Sequence, residues 1–161
     1  MKFYDFARAP SPRIVRIFMA EKGVELETVQ VDLTSGEQMK PDFAAKNPWL
    51  TVPVIELDDG TCISEISACC RYLEEIHHEP RLLGRDPKDK ALVEMWNHHI
   101  FQEGFMAVAE ALRNSALRMK GRGLTGSRSF DQIPDLAQRG IARLEHFMED
   151  LNDRLGECKF V

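Results

Sequence analysis

The sequence predicts a chain of two parts: an α/β domain of βαβ-α-ββα order on a mixed four-stranded sheet, then an all-α domain. Three observations predict this. Every strand-like run falls within the first 64 residues, a helical segment separates the first two runs, and the turn signal DDG separates the last two. Beyond residue 87 the apolar residues recur only at helical spacing.

Residues 2 to 6, KFYDF, read as the first strand, which APSP breaks. A helix through RIVRIFMAEKG follows, with Ser11 expected at its N-cap, Pro12 at its first position and Gly23 just past its end. LETVQVDL, residues 26 to 33, is the second strand, and a crossover helix between two strands implies a parallel, right-handed unit. TSGEQMKPDFAAKNP reads as a polar loop with one short helix. VPVIEL and TCIS flank DDG as an antiparallel hairpin, and a helix from Ser64 to His77 completes the domain. Two prolines and a glycine in HHEPRLLGRDP mark a linker. The α/β domain is therefore expected over 1–78, the linker over 79–86 and the helical domain over 87–161.

In the helical domain, Phe101, Phe105, Val108 and Leu112 fall on one helix expected from Pro87 to Lys120. Ala137, Ile141, Leu144, Met148, Leu151 and Leu155 fall on a second, antiparallel one, after the loop GRGLTGSRS. Both stripes are expected in the core.

With 21 basic against 26 acidic residues and a formal charge of −5, the chain is a poor partner for nucleic acid or an anionic membrane. It has no apolar run of membrane-spanning length, and its first residues lack the pattern of a secretory signal, so a cytoplasmic protein is expected. Cys62, Cys69, Cys70 and Cys158 contain no CxxC pair, and His77, His78, His98 and His99 come as neighbours rather than at i, i+4. Neither a disulfide framework nor a metal site is expected.

The stretch NPWLTVPVIELDDG, residues 47 to 60, sets Pro53 between two valines of a strand-like run. Proline has no N–H for a sheet ladder, so it belongs at a strand start. Either it opens the strand in the ordinary trans form, or a cis bond turns the chain and leaves the groups of Val52 facing outward.

These segments together resemble the cytosolic glutathione transferase superfamily: YDFARAPSPRIVRIFMAEKG its first strand, active-site loop and first helix, SGEQMKPDF its second-helix loop, and NPWLTVPVIELDDG with SEISACCRYLEE its glutathione-binding core. The resemblance implies a thioredoxin-like first domain, a cis Pro53, and glutathione as co-substrate with no metal. It implies that Val52 and Pro53 hold the cysteinyl part of glutathione, Glu65 with the Ile66 N–H its γ-glutamyl end, and Gln38 with Lys40 its glycyl carboxylate.

The chain departs from its relatives at three places. Many members carry the catalytic hydroxyl one position before the loop proline, which is Ala9 here, and the cysteine of another class would fall on Pro10. Ser11 is then the first candidate for stabilising the thiolate and Tyr4 the second, with N-capping as the alternative role for Ser11. Ile66 stands where relatives have a serine, and Ser67 lies about 100° further round the helix. Relatives also continue past KFV into further helices, so the stripes of the helical domain are expected to be incompletely covered.

The expected function is conjugation of glutathione to small, electrophilic, apolar compounds, as in detoxification. The acceptor is expected against Arg8, Phe105, Met106, Leu112 and Met119. A non-catalytic binding or regulatory protein of the same fold is one alternative, and a glutathione-dependent disulfide reductase or isomerase another. The resemblance further implies a homodimer.

Overall fold

The computed structural model describes every residue from Met1 to Val161. Its elements are β1 (Lys2–Asp5), α1 (Pro10–Glu21), β2 (Glu27–Gln30), α2 (Pro41–Ala44), β3 (Val54–Glu56), β4 (Cys62–Ser64), α3 (Ile66–Ile76), α4 (Pro87–His99), α5 (Met106–Ser115) and α6 (Pro134–Glu157). The strands form one sheet in the order β2-β1-β3-β4, with β1 and β2 parallel and the other pairs antiparallel. The expected βαβ-α-ββα order on a mixed four-stranded sheet is the order found.

The chain divides into two compact units, Met1–Leu83 with Thr125–Ser127, and Gly84–Leu124 with Arg128–Val161. In the first, the alternation of strand side chains builds two cores. Phe3 and Ile55 face α1 and α3 and pack with Val15, Phe18, Met19 and Leu73. Tyr4 and Val54 face the other way and pack with Val31, Phe43 and Val52. The adjacent thiols Cys69 and Cys70 of α3 both enter the first core, and burial pushes them up to about 12 and about 11.

A buried ion pair fastens the end of this unit. Lys22, at the C-cap of α1, has no exposed side-chain surface and pairs with Glu74 of α3 at 2.6 Å. Its Nζ also donates to the carbonyls of His77 and Pro80, each at 2.7 Å. Glu74 in turn accepts from the N–H groups of Leu82 (3.3 Å) and Leu83 (3.0 Å). The segment after α3, expected in part as a linker, is thus tied back onto α1. Burial alone would raise the Glu74 carboxyl, but Lys22 and the two amides hold it below its ordinary value.

In the second unit, the helix expected from Pro87 to Lys120 is α4, a π-helical stretch over Ile100–Phe105, and α5; it ends at Ser115, where Ala116 turns to an extended conformation. α6 runs antiparallel to α5: Ile133 bonds Asn114, and Arg139 pairs with Glu110, while Arg143 reaches Glu103. Of the two apolar stripes expected in the core, only Ala137 is buried. Val108, Leu112, Ile141 and Met148 are exposed, and the buried residues of these helices are Gly104, Ala107, Asn114, Ala137, Gly140 and Phe147. The reason is steric. A Cβ on Gly140 would lie 2.7 Å from the Ala111 nitrogen and 2.8 Å from the Ala107 oxygen, so the two backbones approach more closely than large side chains allow.

Two substitutions follow from this packing. Lys22→Met leaves the Glu74 carboxylate buried without its partner and should lower the stability of the first unit by about 3–5 kcal/mol in urea unfolding. Gly140→Ala forces α5 and α6 apart and should cost about 1–3 kcal/mol by the same measurement.

Candidate active site

Three connections emerge at one edge of the sheet. Tyr4, Val54 and Ser64 form a row across β1, β3 and β4, two strand spacings or roughly 10 Å wide. β1 and β4 end beside this row and β3 begins there, so the loop into α1, the approach to β3 and the turn into α3 share that edge.

The first connection delivers the N-terminus of α1. The helix starts at Pro10, with Ala9 as an extended N-cap that makes no side-chain bond. Ser11 is therefore the second helical residue rather than the cap, and Pro12 the third, because Pro10 supplies the fixed φ that opens the helix. A helix leaves its first N–H groups without internal partners. Here Pro10 and Pro12 have none, and that of Ala9 donates to the Phe6 carbonyl at 2.8 Å. Arg13, four residues past the N-cap, is the first whose N–H can reach an intrahelical carbonyl. The half-buried Ser11 is left with a free N–H beside its own free hydroxyl.

The second connection is the strap 47–53. The peptide bond between Val52 and Pro53 is cis, as the resemblance implied. Val52 is buried, and its N–H and C=O enter no hydrogen bond of the chain. Asn47, 1% exposed, shapes the strap: its amide nitrogen donates to the Thr51 carbonyl at 2.8 Å, and its amide oxygen accepts from the Trp49 N–H at 3.1 Å.

The third connection is Glu65, which caps α3 instead of lying in its first turn. It has φ 72° and ψ 138°, a conformation that costs a residue with a side chain about 1–3 kcal/mol. Its exposed side chain bonds nothing, and the N–H groups of Ile66, Ser67 and Ala68 behind it are without backbone partners. Such a terminus is a site for a carboxylate.

The other expected residues are distributed differently. The Tyr4 hydroxyl donates to Glu56 at 2.5 Å, Glu56 accepts from Lys46 at 2.9 Å, and the Lys46 ammonium lies 5.2 Å from the centre of the Tyr4 ring. This hydroxyl is already engaged. Burial and the Glu56 hydrogen bond push the phenol above its ordinary value, against the pull of Lys46. Gln38 is 2% exposed with its amide oxygen enclosed and unpartnered, whereas Lys40 and Arg8 are exposed. Phe105, Met106, Leu112 and Met119 belong to the second unit, where Phe105 stacks on Phe101 and Met106 and Leu112 are exposed.

Residues 10–76 match the family model of the glutathione S-transferase N-terminal domain. A solved structure of a glutathione S-transferase domain-containing protein from Marinobacter aquaeolei is 38% identical, with a TM-score of 0.88 over 99% of this chain and 77% of that one. The chain belongs to the glutathione S-transferase family. The solved structure of Gtt2 from Saccharomyces cerevisiae is 32% identical, with a TM-score of 0.86 over 98% of this chain and 74% of that one. Among curated relatives, glutathione S-transferase 2 of Saccharomyces cerevisiae is 35% identical over 152 residues and maleylacetoacetate isomerase of Pseudomonas aeruginosa 37% identical over 93. The chain spans 65% of the first relative's length and 44% of the second's.

Within this family's fold, sequence reasoning missed Asn47 and the Tyr4–Glu56–Lys46 group. The Asn-Pro pair at 47 and 48 is a turn signal that pointed to Asn47. Nothing local pointed to Glu56 as the partner of a tyrosine 52 residues away. A spectrophotometric titration should place the Tyr4 phenol above pH 10.0, its ordinary value, and Glu56→Gln should bring it down by replacing a charged acceptor with a neutral one.

Proposed function

We propose that this protein binds glutathione along the edge shared by Ser11, Val52 and Glu65 and transfers its thiolate to small, electrophilic, apolar compounds. The observation that carries this reading is the free N–H and hydroxyl of Ser11 at an uncapped helix N-terminus. Val52 offers its N–H and C=O to the cysteinyl residue as an added strand would. Glu65 takes the γ-glutamyl ammonium, and the N–H groups at the start of α3 take the neighbouring carboxylate, Ile66 contributing its backbone where a hydroxyl is absent. Lys40 is the charged group for the glycyl carboxylate, with Gln38 behind it.

The thiol of glutathione, like a free cysteine near 8.5, is mostly protonated at neutral pH. A hydrogen bond from Ser11 and the positive end of α1 favour the anion, which releases its proton to solvent. The sulfur lone pair then forms the new carbon–sulfur bond as the leaving group departs or the double bond opens. Tyr4 takes no part, because its hydroxyl is committed to Glu56. Arg8, Phe105, Met106, Leu112 and Met119 remain our candidates for the acceptor's surroundings, and a cytoplasmic homodimer with a detoxifying role is part of the same reading.

The similarity to maleylacetoacetate isomerase over 93 residues favours a second reaction at the same thiolate, reversible addition to an unsaturated acid that allows rotation before elimination. Assays with an aryl halide and with a cis-unsaturated diacid separate the two readings. Ser11→Ala should reduce whichever activity is present by roughly tenfold or more, the worth of one hydrogen bond to an anion. The thiolate absorption band of bound glutathione should move to higher pH in the same variant. An unchanged rate and an unmoved band would remove Ser11 from catalysis.

A further inference from the structure

The loop from Phe6 to Ala9 carries α1 to the sheet edge: Phe6 and Ala9 at its ends pack against the second core, whereas Ala7 and Arg8 between them are exposed. Side chains from three elements hold its middle. Asp5, the last residue of β1, is 2% exposed. One of its carboxylate oxygens accepts from Arg16 of α1, and the other accepts from the side-chain amide of Gln30 at 2.9 Å. Arg16 also donates to the Ala7 carbonyl at 3.1 Å. Gln30, the last residue of β2 and the register partner of Asp5, accepts from the Ala7 N–H at 3.0 Å.

Both backbone groups of Ala7 therefore end on side chains, and a buried carboxylate locks those side chains together. Burying a charge for stability alone is a poor exchange against well-packed apolar residues. The arrangement is better matched to direction than to packing, since a planar guanidinium and a planar amide fix angles as well as distances. Ala9 closes the turn on Phe6, so only Arg8 separates the pinned residue from the N-cap of α1.

We propose that Asp5, Arg16 and Gln30 are positioning residues that set the loop's height and so aim the N–H and hydroxyl of Ser11 at the sulfur of glutathione. This rests on the thiolate-binding role given to Ser11 above. The charged groups around the loop are Asp5 and Arg16 within the network and the exposed Arg8 and Arg13 beside it.

Gln30→Ala tests the proposal with least risk to the fold, since Gln30 is exposed and its loss removes two hydrogen bonds without opening a core. Arg16→Lys is the companion variant: it keeps a cation for Asp5 but lacks the fork that spans Asp5 and Ala7. In both, the midpoint of the glutathione thiolate band should rise by about half a unit, roughly a threefold loss of thiolate at neutral pH. The turnover number should fall by the same factor at neutral pH and recover in alkali, while the KM for glutathione stays within about twofold, as expected for a lost transition-state interaction. A band present in the wild type that stays put in both variants would overturn the positioning role alone. So would a loss that persists in alkali and appears mainly in KM. No band in the wild-type protein would instead overturn the transferase reading, and the aim assigned to the loop with it.

Discussion

An α-helix cannot bond its own first N–H groups, and at one edge of this sheet two helices leave theirs uncapped. Most helices resolve that deficit with a serine, threonine or aspartate at the N-cap, as Asp86 does for α4. α1 has Ala9 in that position and α3 has a strained Glu65 whose side chain caps nothing. Each leaves donors directed at the same edge, and between them the cis bond at Pro53 leaves Val52 with an unused donor and acceptor. The proposed chemistry depends on this concentration of unmet hydrogen-bonding capacity, which a bound peptide-like thiol is suited to fill.

Such an edge must be held rigid by groups that are themselves satisfied. Asn47 organises the strap, Asp5 organises the loop, and Glu56 ties β3 to Lys46 below the strap. All three polar groups sit where the backbone leaves regular structure, since turns offer carbonyl and amide groups that no ladder uses. The second unit is built on the opposite principle. There small residues let α5 and α6 touch along their backbones, and of the large apolar side chains only Phe147 is buried.

The sheet was legible in the sequence because alternation, a crossover helix and a DDG turn each report local geometry. Placing the start of α1 was harder. Pro10 and Pro12 both satisfy the preference for proline at a helix start, and only the loop's tertiary bonds choose Pro10. The helical stripes misled for a related reason: periodicity identifies an apolar face but not its partner, and Gly140, which decides the contact, carries no hydrophobic signal. Val52, Pro53 and Glu65 came from family resemblance. Asp5, Arg16 and Gln30 did not, because their roles rest on partners up to 25 residues apart that no local pattern links.

The fastening of Lys22 has a mechanical side. It joins residue 22 to carbonyls 55 and 58 positions later, closing most of the first unit into a loop without a covalent bond. The entropic cost of closing so long a loop rises only with the logarithm of its length, so one buried cation can hold it. Tension carried along the chain from Gly84 meets Glu74 of α3 first, through the amides of Leu83 and Leu82, and Lys22 of α1 next, through the Pro80 and His77 carbonyls. Because Lys22 and Glu74 are paired with each other, the pull is shared between the end of α1 and α3.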